Sequence, residues 1–152
     1  MAHIYVSSVI DAPIEEVWAI ARDFTGHWHS SVIVEPAIEE DLPSDRVGCV
    51  RAFKLQDGGA LREILVGLSD ERYEFSYRIL ESPLPVEDYL ASVRFAPVTT
   101  TGATFGEWTV NFRVPPDEEQ STVDTVRGVF ENGFADIANL LNAIPGHRPD
   151  PA

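Results

Sequence analysis

Apolar positions recur with a helical period near the C-terminal end of the chain. Between residues 117 and 144 they are separated by steps of three and four, as on one stripe of an α-helix. Asp117 is a candidate N-cap with Gln120 three residues later, and Pro145 and Gly146 mark the end. The pattern predicts one helix about 40 Å long. Its apolar stripe consists of Val123, Val126, Phe130, Phe134, Ile137, Leu141 and Ile144.

Two glycines, Gly128 and Gly133, interrupt this predicted helix. Glycine in a helix interior costs about 1 kcal/mol relative to alanine. Two interpretations remain open. Either the helix backbone packs closely on a bulky neighbour at these positions, or side chains are absent so that space remains beneath the helix.

Before this helix the apolar residues alternate with polar ones, and the segments are rich in β-branched and aromatic residues. The short links 56–59 and 69–72 are typical of turns between antiparallel neighbours. Helical spacing of Val17, Trp18 and Phe24 behind Pro13 predicts a short helix ending near Gly26, with one more turn over residues 27–30. The predicted strands cover residues 3–10, 32–39, 47–55, 61–68, 73–80, 89–96 and 105–114.

These elements together predict an α+β fold. An antiparallel sheet of this size needs cover on one face, and only the C-terminal helix is long enough to provide it. We therefore expect a curved seven-stranded antiparallel sheet wrapped on a long C-terminal helix, with one or two short helices after the first strand. Residues 1–145 are expected to form one domain, and residues 146–152 a loose tail.

Charge and cysteine content limit the partners. The formal net charge is −14 and no basic run occurs, so nucleic acid and anionic membranes are poor partners. The single cysteine, Cys49, cannot form an internal disulfide. Neither a leader pattern nor an apolar segment of membrane-spanning length is present. We expect a cytoplasmic protein, and a homodimer stays open as an oligomeric state.

A series of short motifs resembles a known superfamily over nearly the whole chain. Together they resemble the SRPBCC superfamily of START domains, birch-pollen allergens and polyketide cyclases, and most of all its bacterial polyketide cyclase/dehydrase-like branch. Ser30 departs from the pattern, because a proline commonly follows the Trp-His pair there. The motifs are the segment 10–18, Asp23-Phe24, Trp28-His29, Val47-Gly48 with Arg51, Glu63, Asp70-Glu71, Tyr77-Arg78-Ile79, Leu84-Pro85-Val86 with Tyr89, Glu107-Trp108, and Phe130 with Gly133.

The resemblance implies a helix-grip fold with a cavity between the sheet and the long helix, where a small hydrophobic or aromatic molecule binds. The alternative is a filled core, because burying an aromatic side chain stabilises the fold by about 1.5–3 kcal/mol with or without a ligand. The residues expected to contact the ligand are Trp28, Arg51, Phe53, Glu63, Tyr77, Tyr89, Trp108, Phe130 and Phe134.

Arg51 and Glu63 are the polar pair in this set. If residues 56–59 close a tight hairpin, Phe53 faces Glu63 and Arg51 lies diagonally across from it. On the cavity side the pair would anchor a ligand, and a raised pKa would suit Glu63 to proton transfer. On the solvent side it would be an ordinary ion pair worth at most about 1 kcal/mol. Strand alternation leaves the face open.

Three functions follow from this pattern: a small-molecule binding protein, a cyclase- or dehydratase-type enzyme, or a protein-interaction module with a filled core. For an enzyme, the candidate proton-transfer residues are Glu63, Tyr89 and His29. His27 and His29 lack a third ligand in suitable spacing, so no metal site is expected. No phosphate loop or dinucleotide fingerprint occurs, and no cofactor is expected.

Overall fold

The computed structural model describes residues 1–143, which form seven strands and two α-helices. The predicted α+β fold is confirmed, with each predicted strand present within a few residues of its expected bounds. The helices are α1, Ile14–Ala21, and α2, Glu119–Ala143. The strands are β1, Ala2–Ile10; β2, Val34–Ile38; β3, Val50–Lys54; β4, Ala60–Ser69; β5, Glu74–Glu81; β6, Glu87–Pro97; and β7, Thr104–Arg113.

The strands form one antiparallel sheet in the order β1-β7-β6-β5-β4-β3-β2. Strands β2 to β7 follow one another as a meander, and β1 joins the far side of β7. Ala2 pairs with Phe112, and Ile10 pairs with Thr104. Strand β1 is therefore held in the sheet by β7, the last strand within the described residues.

Helix α2 covers the face of the sheet on which the aromatic residues alternate. Its stripe residues Val126, Phe130, Phe134, Ile137 and Leu141 are all buried, as the helical spacing predicts. They share one core with aromatic residues of the strands, and the Phe130 ring stacks on Trp108 at 4.3 Å between centroids. The predicted end of this helix, with Ile144, Pro145 and Gly146, and the predicted tail lie outside the described residues.

The start of α2 differs from the prediction. Asp117 is not an N-cap but lies inside a 3₁₀ turn, Pro116–Glu118, and α2 begins at Glu119. Pro115 precedes this turn without a side-chain cap, and Glu118 N–H donates to its carbonyl over 3.0 Å. A proline fixes φ near the helical value and has no N–H to satisfy, so the turn starts without a capping side chain.

The connection between α1 and β2 contains turns and no second helix. We call residues 22–33 the α1–β2 segment; α1 ends at Ala21, five residues before the predicted end at Gly26. Gly26 lies in the left-handed region with φ +81°. A Cβ atom there would approach Ile33 Cδ1 to 2.8 Å and Arg51 Nη1 to 3.2 Å. The segment therefore crosses the sheet directly against the side chain of Arg51.

The predicted register of the β3–β4 hairpin is wrong by two residues. Arg51 lies directly opposite Glu63, and Phe53 lies opposite Leu61. Leu55 N–H donates to Gly59 O over 2.8 Å, so the tip contains residues 56–58 only. Gly58 allows this short tip because its φ is +93°, a conformation that glycine adopts without strain. A shift of two keeps Arg51, Phe53 and Glu63 on the same face of the sheet as one another, as predicted.

Candidate ligand-binding site

A small pocket lies between α2, the α1–β2 segment and strands β3 to β7. Its free volume is about 60 Å³. The walls are mainly aliphatic and aromatic, and the polar groups come from a few side chains. Its lining consists of His29, Val32, Ile33, Arg51, Phe53, Leu55, Leu61, Glu63, Tyr77, Ile79, Leu84, Tyr89, Trp108, Thr125, Val126, Val129 and Phe130.

A buried ion pair between Arg51 and Glu63 is the main polar feature of the pocket. Arg51 is 4% exposed and Glu63 5%, which places both on the covered face of the sheet. Arg51 Nε and Nη2 lie 2.8 and 2.7 Å from the same carboxylate oxygen, Oε1. Arg51 Nη1 donates to the carbonyl of Phe24 over 3.1 Å. These contacts use three of the five N–H donors of the guanidinium.

Aromatic rings surround the Arg51 guanidinium. Its Cζ lies 4.1 Å from the ring centroid of Phe24, 5.0 Å from that of Tyr77 and 5.6 Å from that of Phe53. A cation over an aromatic face is attracted by the ring quadrupole, and more strongly where water is excluded. The rings and the Phe24 carbonyl hold the guanidinium in one position beside Glu63.

Burial and the ion pair act on Glu63 in opposite directions. Burial raises the pKa of the Glu63 carboxyl above its usual value, while the charge and hydrogen bonds of Arg51 partly oppose the rise. The Arg51 guanidinium is fixed in place, and the ionised carboxylate of Glu63 interacts with it more favourably than the neutral acid would. The two groups therefore form an ion pair. Arg51 and Glu63 therefore contribute one positive and one negative charge within 3 Å of each other.

Two tyrosine hydroxyls lie beside the ion pair. Trp108 Nε1–H donates to Tyr77 Oη over 3.1 Å, and the rings of Tyr77 and Tyr89 lie 6.3 Å apart. Burial is the main cause that raises the pKa of both hydroxyls, with further increases from the nearby charge of Glu63. Both phenols are therefore neutral hydrogen-bonding groups at physiological pH.

His29 is the third neutral polar group of the pocket. Its Nε2–H donates to the carbonyl of Val129 on α2 over 3.1 Å, which fixes the proton on Nε2. Burial, then the positive charge of Arg51, lowers the pKa of His29 to about 4, although Asp136 and the Val129 carbonyl oppose this. His29 is thus uncharged at neutral pH and ties the α1–β2 segment to α2.

Most of the predicted site residues meet in this pocket, although their role in ligand binding stays a prediction. Trp28 does not line it: its indole stacks on His29 at 5.2 Å and donates from Nε1 to Asp23 O over 3.1 Å. Phe134 lies beyond Trp108, with 5.7 Å between ring centroids. Those that line it are His29, Arg51, Phe53, Glu63, Tyr77, Tyr89, Trp108 and Phe130.

Sequence reasoning missed several lining residues. Leu61 could have been found, because it alternates with Glu63 along β4 and so shares its face. Val129 lies beside the apolar stripe of α2 rather than on it, and Leu84 occurs in a loop motif without a period. Val32 and Ile33 are brought in by the α1–β2 segment, whose path is set by contacts with distant residues.

The two helix glycines have different surroundings. A Cβ atom at Gly133 would lie 2.5 Å from Trp108 Cζ3 and 3.3 Å from His29 Nε2. At Gly128 such an atom would meet nothing within 4 Å. Close packing on a bulky neighbour therefore explains Gly133, whereas Gly128 faces open space.

Other reactive groups lie apart from the pocket polar groups. Cys49 is buried, and burial raises the pKa of its thiol, which disfavours the nucleophilic thiolate. His27 is exposed. Within residues 1–143, no cluster of three or more histidine, cysteine or acidic side chains is arranged to hold a metal ion.

A curved antiparallel sheet that wraps on a long helix, with a pocket between the two, defines a protein of the helix-grip class. Residues 1–142 match the family model described as polyketide cyclase / dehydrase and lipid transport. The chain belongs to this family. Family and fold together support a ligand-binding role in general.

Solved structures of proteins from several bacteria share this fold. A protein from Nitrosospira multiformis is 26% identical, with a TM-score of 0.79 over 91% of this chain and 94% of its own. The protein XoxI from Bacillus cereus, at 22% identity, has a TM-score of 0.81 over 94% and 97% of the two chains. A Thermobifida fusca protein, at 23% identity, has a TM-score of 0.82 over 98% and 99%. A search of curated proteins finds no match.

Neither α1 nor α2 has the combination of length and apolar character that crossing a bilayer requires, as judged over residues 1–143.

Proposed function

We propose that this protein binds a small hydrophobic or aromatic molecule in the pocket between α2 and the sheet. The observation that carries the proposal is the composition of the pocket. Apolar walls from α2 and the strands enclose a cluster of polar groups made by Arg51, Glu63, Tyr77, Tyr89 and His29. Ligand sites commonly combine apolar walls with a few polar groups that fix the ligand's orientation. Membership of the family supports the same role.

Side chains must move to admit such a ligand. The free volume of about 60 Å³ is smaller than the roughly 150 Å³ of an engineered cavity that takes up benzene. Leu84, half-buried in the β5–β6 loop, lines the pocket and also a groove on the protein surface. Ile79 and Tyr89 line both spaces as well. Outward displacement of Leu84 would therefore join the pocket to the groove and enlarge it.

Titration with small neutral aromatics tests the proposal. Phenol, indole and 2-naphthol would be added to the protein while ¹H–¹⁵N spectra, including the indole N–H signal of Trp108, are followed. We expect saturable binding, with the largest shifts at residues that line the pocket. Val129→Phe should weaken binding at least tenfold, because the larger side chain occupies the free volume.

Gly128→Ala is the matched control, since its added methyl group lies on the same helix but outside the pocket lining. It should bind the same compounds with unchanged affinity. Equal affinity of Val129→Phe and the wild type would place the ligand elsewhere. No saturable binding of any neutral aromatic would contradict the proposal and favour an interaction module.

One observation favours a second candidate function, an enzyme of the cyclase or dehydratase type. Glu63, Tyr89 and His29, the residues predicted to transfer protons, line the same pocket. A bound, reactive chain held beside such groups would gain from positioning, which can lower a barrier by about 7–11 kcal/mol. Under this candidate Glu63→Gln abolishes turnover while affinity for a neutral substrate stays nearly intact. Equal losses of turnover and affinity would support binding alone.

A further inference from the structure

We propose that the pocket selects electrically neutral ligands carrying a hydroxyl or carbonyl group, and that Glu63 determines this selectivity by neutralising Arg51. This inference rests on the proposed binding function and specifies the chemical class of the ligand. It follows from the charges that face the pocket and from the way the two ionised groups are paired.

The charges in the pocket lining sum to zero. Arg51 contributes +1 and Glu63 −1, while the residues from α2 that line the pocket are uncharged. Asp136 on α2, whose charge acts on His29, accepts hydrogen bonds from Ser31 Oγ at 2.6 Å and Ser31 N at 3.2 Å and is outside the lining. The remaining titratable lining groups are His29, Tyr77 and Tyr89, all neutral at physiological pH.

An anionic ligand finds no unpaired cation here. It would lose its hydration on entry, and a buried charge is costly unless it is paired. The attraction of Arg51 is offset by Glu63, whose Oε1 lies 2.7 Å from Arg51 Nη2. A carboxylate ligand would therefore meet a positive and a negative group at nearly the same distance.

A neutral polar ligand finds both donors and acceptors. Arg51 retains two of its five N–H donors after its contacts with Glu63 and Phe24. Both Arg51 contacts to the carboxylate use Oε1, so a ligand hydroxyl can donate to Oε2. The hydroxyls of Tyr77 and Tyr89 act as donors or acceptors. Phenols and ketones satisfy these groups without bringing in a charge.

The first test uses a ligand that changes its own charge. The hydroxyl of 4-nitrophenol ionises near neutral pH, whereas that of phenol does not. We expect the affinity of the wild-type protein for 4-nitrophenol to fall by about tenfold per pH unit above the ionisation midpoint of the ligand. Phenol should bind with constant affinity over the same range. This control would reveal titration of Glu63, His29 or any other pocket group.

The second test exchanges the specificity. In Glu63→Gln the charge of Arg51 is no longer offset, so the affinity for benzoate relative to that for neutral benzamide should rise at least tenfold. In the double variant Arg51→Gln with Glu63→Gln the gain for benzoate should disappear. Circular dichroism and thermal unfolding establish that each variant is folded. If Glu63→Gln does not fold, the 4-nitrophenol titration of the wild type decides.

The possible outcomes distinguish failure of the charge selectivity from failure of the proposed binding function. Binding of benzoate as tight as benzamide, or of nitrophenolate as tight as nitrophenol, overturns the selectivity and leaves the binding function standing. Failure of all four probes to bind overturns the binding function and the selectivity together. Glu63 is established as the specificity-determining residue by two results together. The affinity for 4-nitrophenol falls as the pH rises, and the affinity for benzoate relative to benzamide increases in Glu63→Gln but not in the double variant.

Discussion

At the scale of single residues, Gly128 and Gly133 show how the same residue type has opposite roles on one helix. Alanine at Gly128 meets open space, so it should raise the free energy of unfolding by about 0.5–1 kcal/mol through its helix propensity. Alanine at Gly133 would press on Trp108 Cζ3 at 2.5 Å and should lower it by about 1–3 kcal/mol. Urea unfolding of both variants checks this, and changes of the same sign would contradict it.

His29 makes stability depend on pH. Its pKa is lowered from 6.5 to about 4 in the folded protein, because burial and Arg51 disfavour the imidazolium. The unfolded chain therefore binds the proton more readily between these values. The contribution of His29 to the free energy of unfolding is therefore complete above about pH 6.5 and is lost as the pH falls towards 4. It amounts to about 3 kcal/mol in total.

The reference for this effect is His29→Gln, whose amide can still donate to the Val129 carbonyl but does not titrate. Unfolding by urea would be measured for both proteins from pH 7 to pH 4. The stability of the wild type should fall more steeply than that of the variant, because both share all other titrating groups. Parallel curves of unfolding free energy against pH would show that the pKa of His29 is not lowered in the folded protein.

The ion pair offers a double-mutant test. Arg51→Met alone leaves Glu63 buried without its partner and should lower the free energy of unfolding by about 3–5 kcal/mol. Adding Glu63→Met removes the uncompensated group, so the double variant should recover most of this loss. Thermal and urea unfolding of the two single variants and the double variant give the coupling energy. Additive losses would mean that the two side chains do not act as a pair.

At the scale of elements, the β5–β6 loop separates the pocket from the surface groove through Leu84. Leu84→Ala should speed association and dissociation of a neutral aromatic at least tenfold, since less side chain has to move. Leu80→Ala is the control, because Leu80 lines the groove but not the pocket. Stopped-flow fluorescence measures both rates. Unchanged kinetics in Leu84→Ala would assign the entry route to another element.

The elements also show what a sequence can and cannot predict. All seven strands and α2 can be predicted from local periodicity. Each buries one face, and the apolar residues of that face recur in the sequence with the period of a strand or a helix. The hairpin register and the start of α2 depend on single residues, Gly58 and Pro115, that alter backbone geometry without altering the period. Local patterns therefore determine the existence of an element better than its limits.

The site is predictable to a similar degree. The family motifs place Arg51, Glu63 and the aromatic residues together, and these residues line one pocket except for Trp28 and Phe134. The parts that the sequence could not supply are the contacts that cross between elements. His29 reaches Val129, 100 positions along the chain, and the guanidinium of Arg51 is fixed by the carbonyl of Phe24. Such contacts depend on the assembled fold.

At the scale of the whole molecule, the interior and the surface differ in charge. The chain carries a formal net charge of −14, whereas the pocket lining sums to zero. A negative surface field repels anions at a distance, and salt screens it within about 10 Å at 0.1 M. The selectivity that we assign to Glu63 acts at close range inside the fold. It should therefore persist at high salt, where any contribution from the surface is screened.

The pairing of β1 with β7 also affects how the protein is made. Ala2 and Phe112 are neighbours in the sheet, so β1, once synthesised, has no partner until β7, the last strand within residues 1–143, has been made. Closing so long a loop is entropically costly, and folds dominated by distant pairings form slowly. During synthesis on the ribosome, β1 therefore remains unpaired for longer than any other strand within residues 1–143. During that interval the nascent chain is most exposed to aggregation and most dependent on chaperones.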